Sequence, residues 1–137
     1  MAHVYDSFRQ YLAVGSADLG SVTLKAALVN TLANANSGYV FSAAHTTLAD
    51  VPQVAIQTTA TLAGVAVSSG RVDANDLAIA TVTGGDINGI ILYVSTADSS
   101  TSPLMFIQSE GTGFPLTPDG GTVNVTWASS DPFIMKV

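Results

Sequence analysis

The feature that most constrains the fold of this chain is a series of short strand-like stretches with turn-forming residues between them. Clusters rich in Gly, Asp, Asn, Ser and Pro recur after residue 53, and the stretches between them are apolar or alternate in polarity. Such spacing is typical of a β-sandwich or jelly roll, and the sequence lacks the strand–helix rhythm of nucleotide-binding α/β folds. The predicted strands are 53–61, 62–69, 77–83, 89–96, 103–109, 121–127 and 133–137.

Two of these predicted strands are apolar along much of their length. Residues 77–80 read Leu-Ala-Ile-Ala, and residues 90–94 read Ile-Ile-Leu-Tyr-Val. A strand that is apolar at successive positions is buried on both faces. We therefore expect 77–83 and 89–96 to lie at the centre of a sheet or beneath a partner.

The chain before residue 53 begins with a short helix and continues with a strand. Tyr5, Phe8 and Leu12 recur at helical spacing and predict a helix over residues 5–13. Its apolar stripe either closes one end of the chain's own core or docks on a partner subunit. Apolar residues alternate over 21–28, which predicts a half-buried strand, and 43–50 is expected to form a loop or a short helix.

The length of the chain favours a single domain. A chain of 137 residues matches the commonest domain size and can bury a substantial core. It has no cysteine, which excludes disulfides and cysteine-based zinc sites. We expect residues 1–137 to form one mainly β domain, an antiparallel β-sandwich or jelly roll with a short N-terminal helix.

Charge is scarce in this sequence. Charged residues make up 10% of the chain against about 25% in an average soluble protein, and mean hydropathy is +0.41. Such a surface suits a chain that is covered by other protein. The four basic residues are dispersed and the net charge is -6, so neither nucleic acid nor an anionic membrane is expected as a partner.

Neither a membrane span nor a secretory signal is expected. No segment approaches the 18 or so consecutive apolar residues of a transmembrane helix. The N-terminal residues lack the basic and apolar regions of a signal peptide, so synthesis in the cytoplasm is expected.

Residues that carry chemistry are few. His3 lies near the N-terminus, His45 is expected on the surface or in a turn, and most Asp residues stand in turn contexts where they bond local backbone. The sequence has no nucleophile-elbow motif and no phosphate-binding loop. We expect no enzyme activity, no cofactor and no metal. Trp127 is interpreted as a core anchor, an interface hot spot or a sugar-stacking platform.

Several short motifs spread along most of the chain resemble those of a known family. They are the Tyr-Asp-Ser-Phe run at 5–8, the stretches 18–20 and 24–29, His45 with Asp50-Val51, the Tyr93 and Ser102-Pro103-Leu104 region, and the 123–127 strand that ends in Trp. Together they resemble small structural proteins encoded in the head modules of tailed bacteriophages. The resemblance implies a jelly-roll capsid cement (decoration) protein, bound outside an HK97-like shell at joints between capsomers.

The resemblance and the composition together lead to specific expectations. The partners are the major capsid protein and further copies of the chain, with a dimer favoured over a trimer, and the location is the exterior of the virion. The candidate contact residues are Tyr5, Phe8, Tyr11, Trp127, Phe133 and Met135. The alternative is a tail- or fibre-associated domain that binds a host glycan, with Trp127 or Tyr93 as the stacking platform.

Overall fold

Antiparallel strands dominate the described chain, and one short helix lies near its N-terminus. The computed structural model describes residues 2–15, 18–31, 38–109, 113–129 and 134–136. The mainly β architecture with an N-terminal helix is thereby confirmed. The elements are β1 (Ala2–Val4), α1 (Asp6–Ala13), β2 (Leu24–Val29), β3 (Ile56–Thr61), β4 (Ala66–Ser68), β5 (Arg71–Asp73), β6 (Leu77–Ile79), β7 (Gly89–Val94), β8 (Leu104–Gln108), β9 (Val123–Val125) and β10 (Met135–Lys136).

The largest sheet has five strands in the order β1-β8-β7-β2-β3, and every neighbouring pair is antiparallel. All six residues of β7 are buried, as are five of the six in β2. The apolar run at 90–94 therefore has the central position that the sequence predicted. Among the described residues, 77–83 does not lie at the centre of a sheet, because β6 has only three residues, pairs with β9 in a two-stranded sheet and is partly or fully exposed. The other position expected for 77–83, beneath a partner, stays a prediction.

Two smaller sheets pack around the same core. One has the order β10-β5-β4, and the other pairs β6 with β9. Val72 of β5, Val125 of β9 and Ile134 join residues of the large sheet in one hydrophobic cluster. The three open sheets thus have a sandwich-like arrangement in which each small sheet contributes apolar side chains to the common core.

Two strands form where the sequence predicted none. Residues Ala2–Val4, which precede the predicted helix, pair with β8. Residues Arg71–Asp73, which lie between the predicted strands 62–69 and 77–83, pair with β4 to make a hairpin. Its connection uses Ser69 at φ 51° and Gly70 at φ 76°, and two successive residues with positive φ match the right-handed twist of adjoining strands.

Helix α1 closes one end of the chain's own core. The Tyr5 amide donates to the Met105 carbonyl of β8 at 3.0 Å, immediately before the helix begins. Phe8 then points into the core and is fully buried. Of the two interpretations of the apolar stripe, the structure supports closure of the chain's own core for Tyr5 and Phe8.

Candidate interaction cleft

The predicted contact residues do not form one surface. Tyr5 and Phe8 have no exposed area, so both are removed from the set of contact residues. The physical reason is that the helix packs its most apolar positions against β8, as an amphipathic helix on a sheet does. Tyr11 is only partly buried, and its ring stacks on Phe8 with centroids 6.2 Å apart.

The C-terminal candidates are placed only in part. Phe133 lies outside the described residues. The backbone of Met135 belongs to β10 and pairs with Val72 of β5. Neither residue therefore adds to the geometry of a site, and both stay predictions.

Tyr5 ends a buried series of hydrogen bonds. Its hydroxyl lies 2.9 Å from the Tyr39 hydroxyl, which lies 2.8 Å from Nδ1 of His45. Tyr5 and Tyr39 are buried, whereas His45 is partly exposed. Burial raises the pKa of both tyrosines above the ordinary value, and for Tyr5 the bond to Tyr39 raises it further. Both hydroxyls therefore stay protonated at neutral pH.

Burial of Tyr5 indicates which group donates each hydrogen bond in this series. If the Tyr5 hydroxyl donates to Tyr39, then Tyr39 donates to Nδ1 of His45 and each hydroxyl hydrogen has an acceptor. The reverse direction leaves the Tyr5 hydrogen buried without a described acceptor, which costs free energy. In this arrangement Nδ1 of His45 accepts the hydrogen bond from the Tyr39 hydroxyl.

The Asp50 carboxylate organises the adjoining turn. Its Oδ2 accepts hydrogen bonds from the amides of Thr46 and Thr47 at 2.8 and 3.2 Å. These amide bonds are the main reason that the pKa of Asp50 is below its ordinary value. Tyr5, His45 and Asp50, which carry part of the family resemblance, thus act in stabilising this fold.

Trp127 is the candidate residue that lines an open cleft. The cleft has a volume of about 1310 Å³ and lies between the large sheet and the segments 113–119 and 122–129. Leu28, Ile90 and Phe106 on adjacent strands of the large sheet form its apolar floor. We call this feature the Trp127 cleft.

Two hydrogen bonds fix Trp127 at the cleft wall. The backbone amide of Trp127 donates to Oδ1 of Asp76 at 2.9 Å, and its Nε1 donates to the Asn75 carbonyl at 3.1 Å. The side chain is partly buried against the core, so Trp127 both anchors the core and lines the cleft. The sequence placed Asp76 in a local turn, and nothing in the sequence indicated this partner 51 residues away.

Few charged groups line the Trp127 cleft. Among the described lining residues, Arg9 and Asp119 carry the charges, and His3 is also titratable. Arg9 pairs with Asp6 at 3.2 Å, and Asp119 accepts from the Gly121 amide at 2.9 Å. An apolar floor with neutral polar walls suits a neutral polypeptide segment or another uncharged ligand better than an ion.

Tyr93, the second platform considered for a glycan, is not available to one. It is 4% exposed, and its hydroxyl shares a hydrogen bond with Thr59. That part of the expectation is wrong, because β7 lies at the centre of the sheet and its aromatic ring is covered.

The described residues contain no group of three or more His, Asp or Glu side chains placed to hold a metal ion. Among those same residues, no helix is long and apolar enough to cross a membrane. A scan against models of known protein families finds no match to this chain, and a search of curated proteins finds no similar sequence.

Proposed function

We propose that this chain is a viral structural protein, a decoration protein that binds the outside of an HK97-like phage head and links neighbouring capsomers. The observation that carries the proposal is the Trp127 cleft. It offers an apolar floor, a fixed and partly exposed tryptophan and few charges, in a chain of which only 10% is charged. The motif resemblance supplies the viral context.

The chemistry of the cleft matches that of stable protein interfaces. The centres of such interfaces are depleted of charged residues and enriched in aromatic ones, and Trp is prominent among their hot spots. We propose that a segment of the major capsid protein occupies the cleft and contacts Trp127. A shell repeats this site many times, so modest contacts combine through multivalency.

Binding to emptied phage heads tests the proposal. The purified protein is sedimented with heads from which the native decoration has been stripped, and bound copies are counted. Copy numbers in the hundreds support decoration, whereas six or twelve copies indicate a vertex or tail position. No binding to heads contradicts the proposal.

A tryptophan variant tests the assigned surface. Trp127→Ala is expected to weaken binding by about 2 kcal/mol or more, the scale of an interface hot spot, while Trp127→Phe retains part of the affinity. Val54→Ser is the matched control, because Val54 is exposed and lies outside the cleft lining. Equal binding by Trp127→Ala and the control would place the contact elsewhere.

A glycan-binding domain of a tail or fibre is the second candidate. One observation favours it, since the fixed indole shares the cleft with the neutral amides of Gln108 and Asn124. Amides and a rigid aromatic face are groups that bind uncharged polyols. Binding on a glycan array that is lost in Trp127→Ala, without binding to heads, would favour this function over decoration.

A further inference from the structure

We infer that β3 is a pairing edge at which a second copy of this chain adds its own β3, antiparallel, and joins the two five-stranded sheets across a two-fold axis. β3 lies at the end of the large sheet, and β2 is its only strand partner among the described residues. This self-pairing does not depend on any contact with a shell.

The backbone bonds of β3 show which groups face the open side. The Leu62 amide donates to the Leu24 carbonyl at 2.9 Å, which makes these two residues a hydrogen-bonded pair. Hydrogen-bonded pairs alternate with non-hydrogen-bonded pairs along an antiparallel ladder. The backbone N–H and C=O groups of Ala60 and Thr58 therefore also point toward β2. Thr59 and Thr61 therefore direct their backbone N–H and C=O groups toward the open edge.

The open part of this edge is bounded at both ends. After the strand, the Asn75 amide donates to the Ala63 carbonyl at 2.9 Å and occupies that position. Before it, the ladder with β2 shifts register between Leu28 and Val29. The open backbone thus runs over residues 57–61, and Thr59 is its middle residue.

The open backbone at 57–61 is suited to pairing with the same segment of a second copy. Two identical antiparallel strands related by a two-fold axis can be centred on one residue, as in any isologous contact. Centring on Thr59 places Thr59 opposite its own copy and Gln57 opposite Thr61 of the second chain. Both copies then use all of residues 57–61, and the two Thr59 side chains meet in one cross-strand threonine pair, which is favourable.

Charge and sequence favour a second copy as the occupant. Each chain has a net charge of -6, so two copies repel unless they meet at an uncharged surface. β3 contains no charged residue and no proline, which are the common means of blocking an edge. It is also twice as long as the edge strands β1 and β4, which have three residues each.

Sedimentation of the full chain, over loading concentrations up to the millimolar range and without phage heads, tests this inference. The wild type is expected to form a reversible dimer. Thr61→Pro removes an amide that β2 does not use, and Thr61→Val keeps that amide as the matched control. Two amide donors are lost per dimer, each contributing roughly fivefold, so Thr61→Pro should associate about 25-fold more weakly than the control.

A cross-linking experiment gives an independent readout. The chain has no cysteine, so a single introduced thiol reports only contacts between copies. Directly opposed residues of a hydrogen-bonded antiparallel pair have Cα atoms about 5.5 Å apart, within disulfide range. Thr59→Cys should therefore form a dimer rapidly under mild oxidation, whereas Ser68→Cys, on the exposed strand β4, should not.

Three results would overturn the inference. They are a wild type that stays monomeric over the whole concentration range, a Thr61→Pro dimer as stable as that of Thr61→Val, and a Ser68→Cys variant that cross-links as fast as Thr59→Cys. If Thr61→Pro does not fold, as judged by circular dichroism, the cross-linking rates of Thr59→Cys and Ser68→Cys test the inference instead. Because no heads are present, these results are distinct from a failure of capsid binding.

Discussion

The Tyr39 hydroxyl contacts both the Tyr5 hydroxyl and Nδ1 of His45, and it joins segments that are 34 residues apart in the sequence. A buried hydroxyl is stabilising only while all of its neighbours keep their partners. Asp76 has a similar long-range role, since it accepts from the Trp127 amide. Asp98 and Asp119, by contrast, bond amides two residues away, as their turn contexts predicted.

The tyrosine series leads to a stability prediction. Tyr39→Phe should lower the free energy of unfolding by about 1–3 kcal/mol, because it leaves the buried Tyr5 hydroxyl without its acceptor. Tyr5→Phe removes only the terminal donor and should cost less, and the double variant should recover part of the Tyr39→Phe loss. Urea denaturation measures these values, with Tyr11→Phe as the control. A Tyr5→Phe variant less stable than Tyr39→Phe would contradict the assigned direction.

Asp50 gives a pH dependence with a defined sign. Its pKa is lower in the folded chain than in the unfolded one, so the folded state favours the ionised carboxylate. This stabilisation is present above the unfolded-state pKa, and it is lost as pH falls through the folded-state pKa. Asp50→Asn should therefore flatten the loss of stability in acid, as measured by thermal melting across that range. If the stability of Asp50→Asn falls with decreasing pH as steeply as that of the wild type, other carboxylates control the stability in acid.

Among the elements, β7 is where the sequence pattern and the structure agree most closely. It pairs with β2 on one side and β8 on the other, and every residue is buried. A continuous apolar run predicts this position because burial on both faces leaves no position for a polar side chain. The run at 77–80 is also apolar throughout, but among the described residues β6 pairs only with β9 and stays partly exposed. Composition alone does not distinguish these two strands.

The central position of β7 predicts the cost of a cavity there. Ile91 is fully buried and lies opposite Ala27 of β2 and Ile107 of β8. Ile91→Ala should lower the free energy of unfolding by about 2–5 kcal/mol, the range for large-to-small changes in a packed core. Ile79→Ala on β6 is the matched control and should cost clearly less, as measured by urea denaturation. Equal losses would mean that β6 is covered in the folded protein.

At the scale of the whole molecule, low charge and the two proposed contacts are connected. A surface with few charged residues favours contacts with other protein, provided that two chains of like net charge meet at uncharged surfaces. The Trp127 cleft and the β3 edge are separate features, since none of the cleft-lining residues belongs to β3. One chain could therefore bind a shell through the cleft and a second copy through the edge.

The sequence by itself determined the β class, the N-terminal helix and the central position of β7. These follow from the spacing of apolar residues, which is a local property of the chain. Only the tertiary structure decided that Tyr5 and Phe8 are buried, that Trp127 is fixed by Asn75 and Asp76, and that β3 lies at an edge. The Trp127 contacts join residues 51 and 52 positions apart, and exposure depends on which elements pack together. Local spacing predicts which residues are apolar on one element, but it does not show which distant segments meet or which of those elements stay exposed.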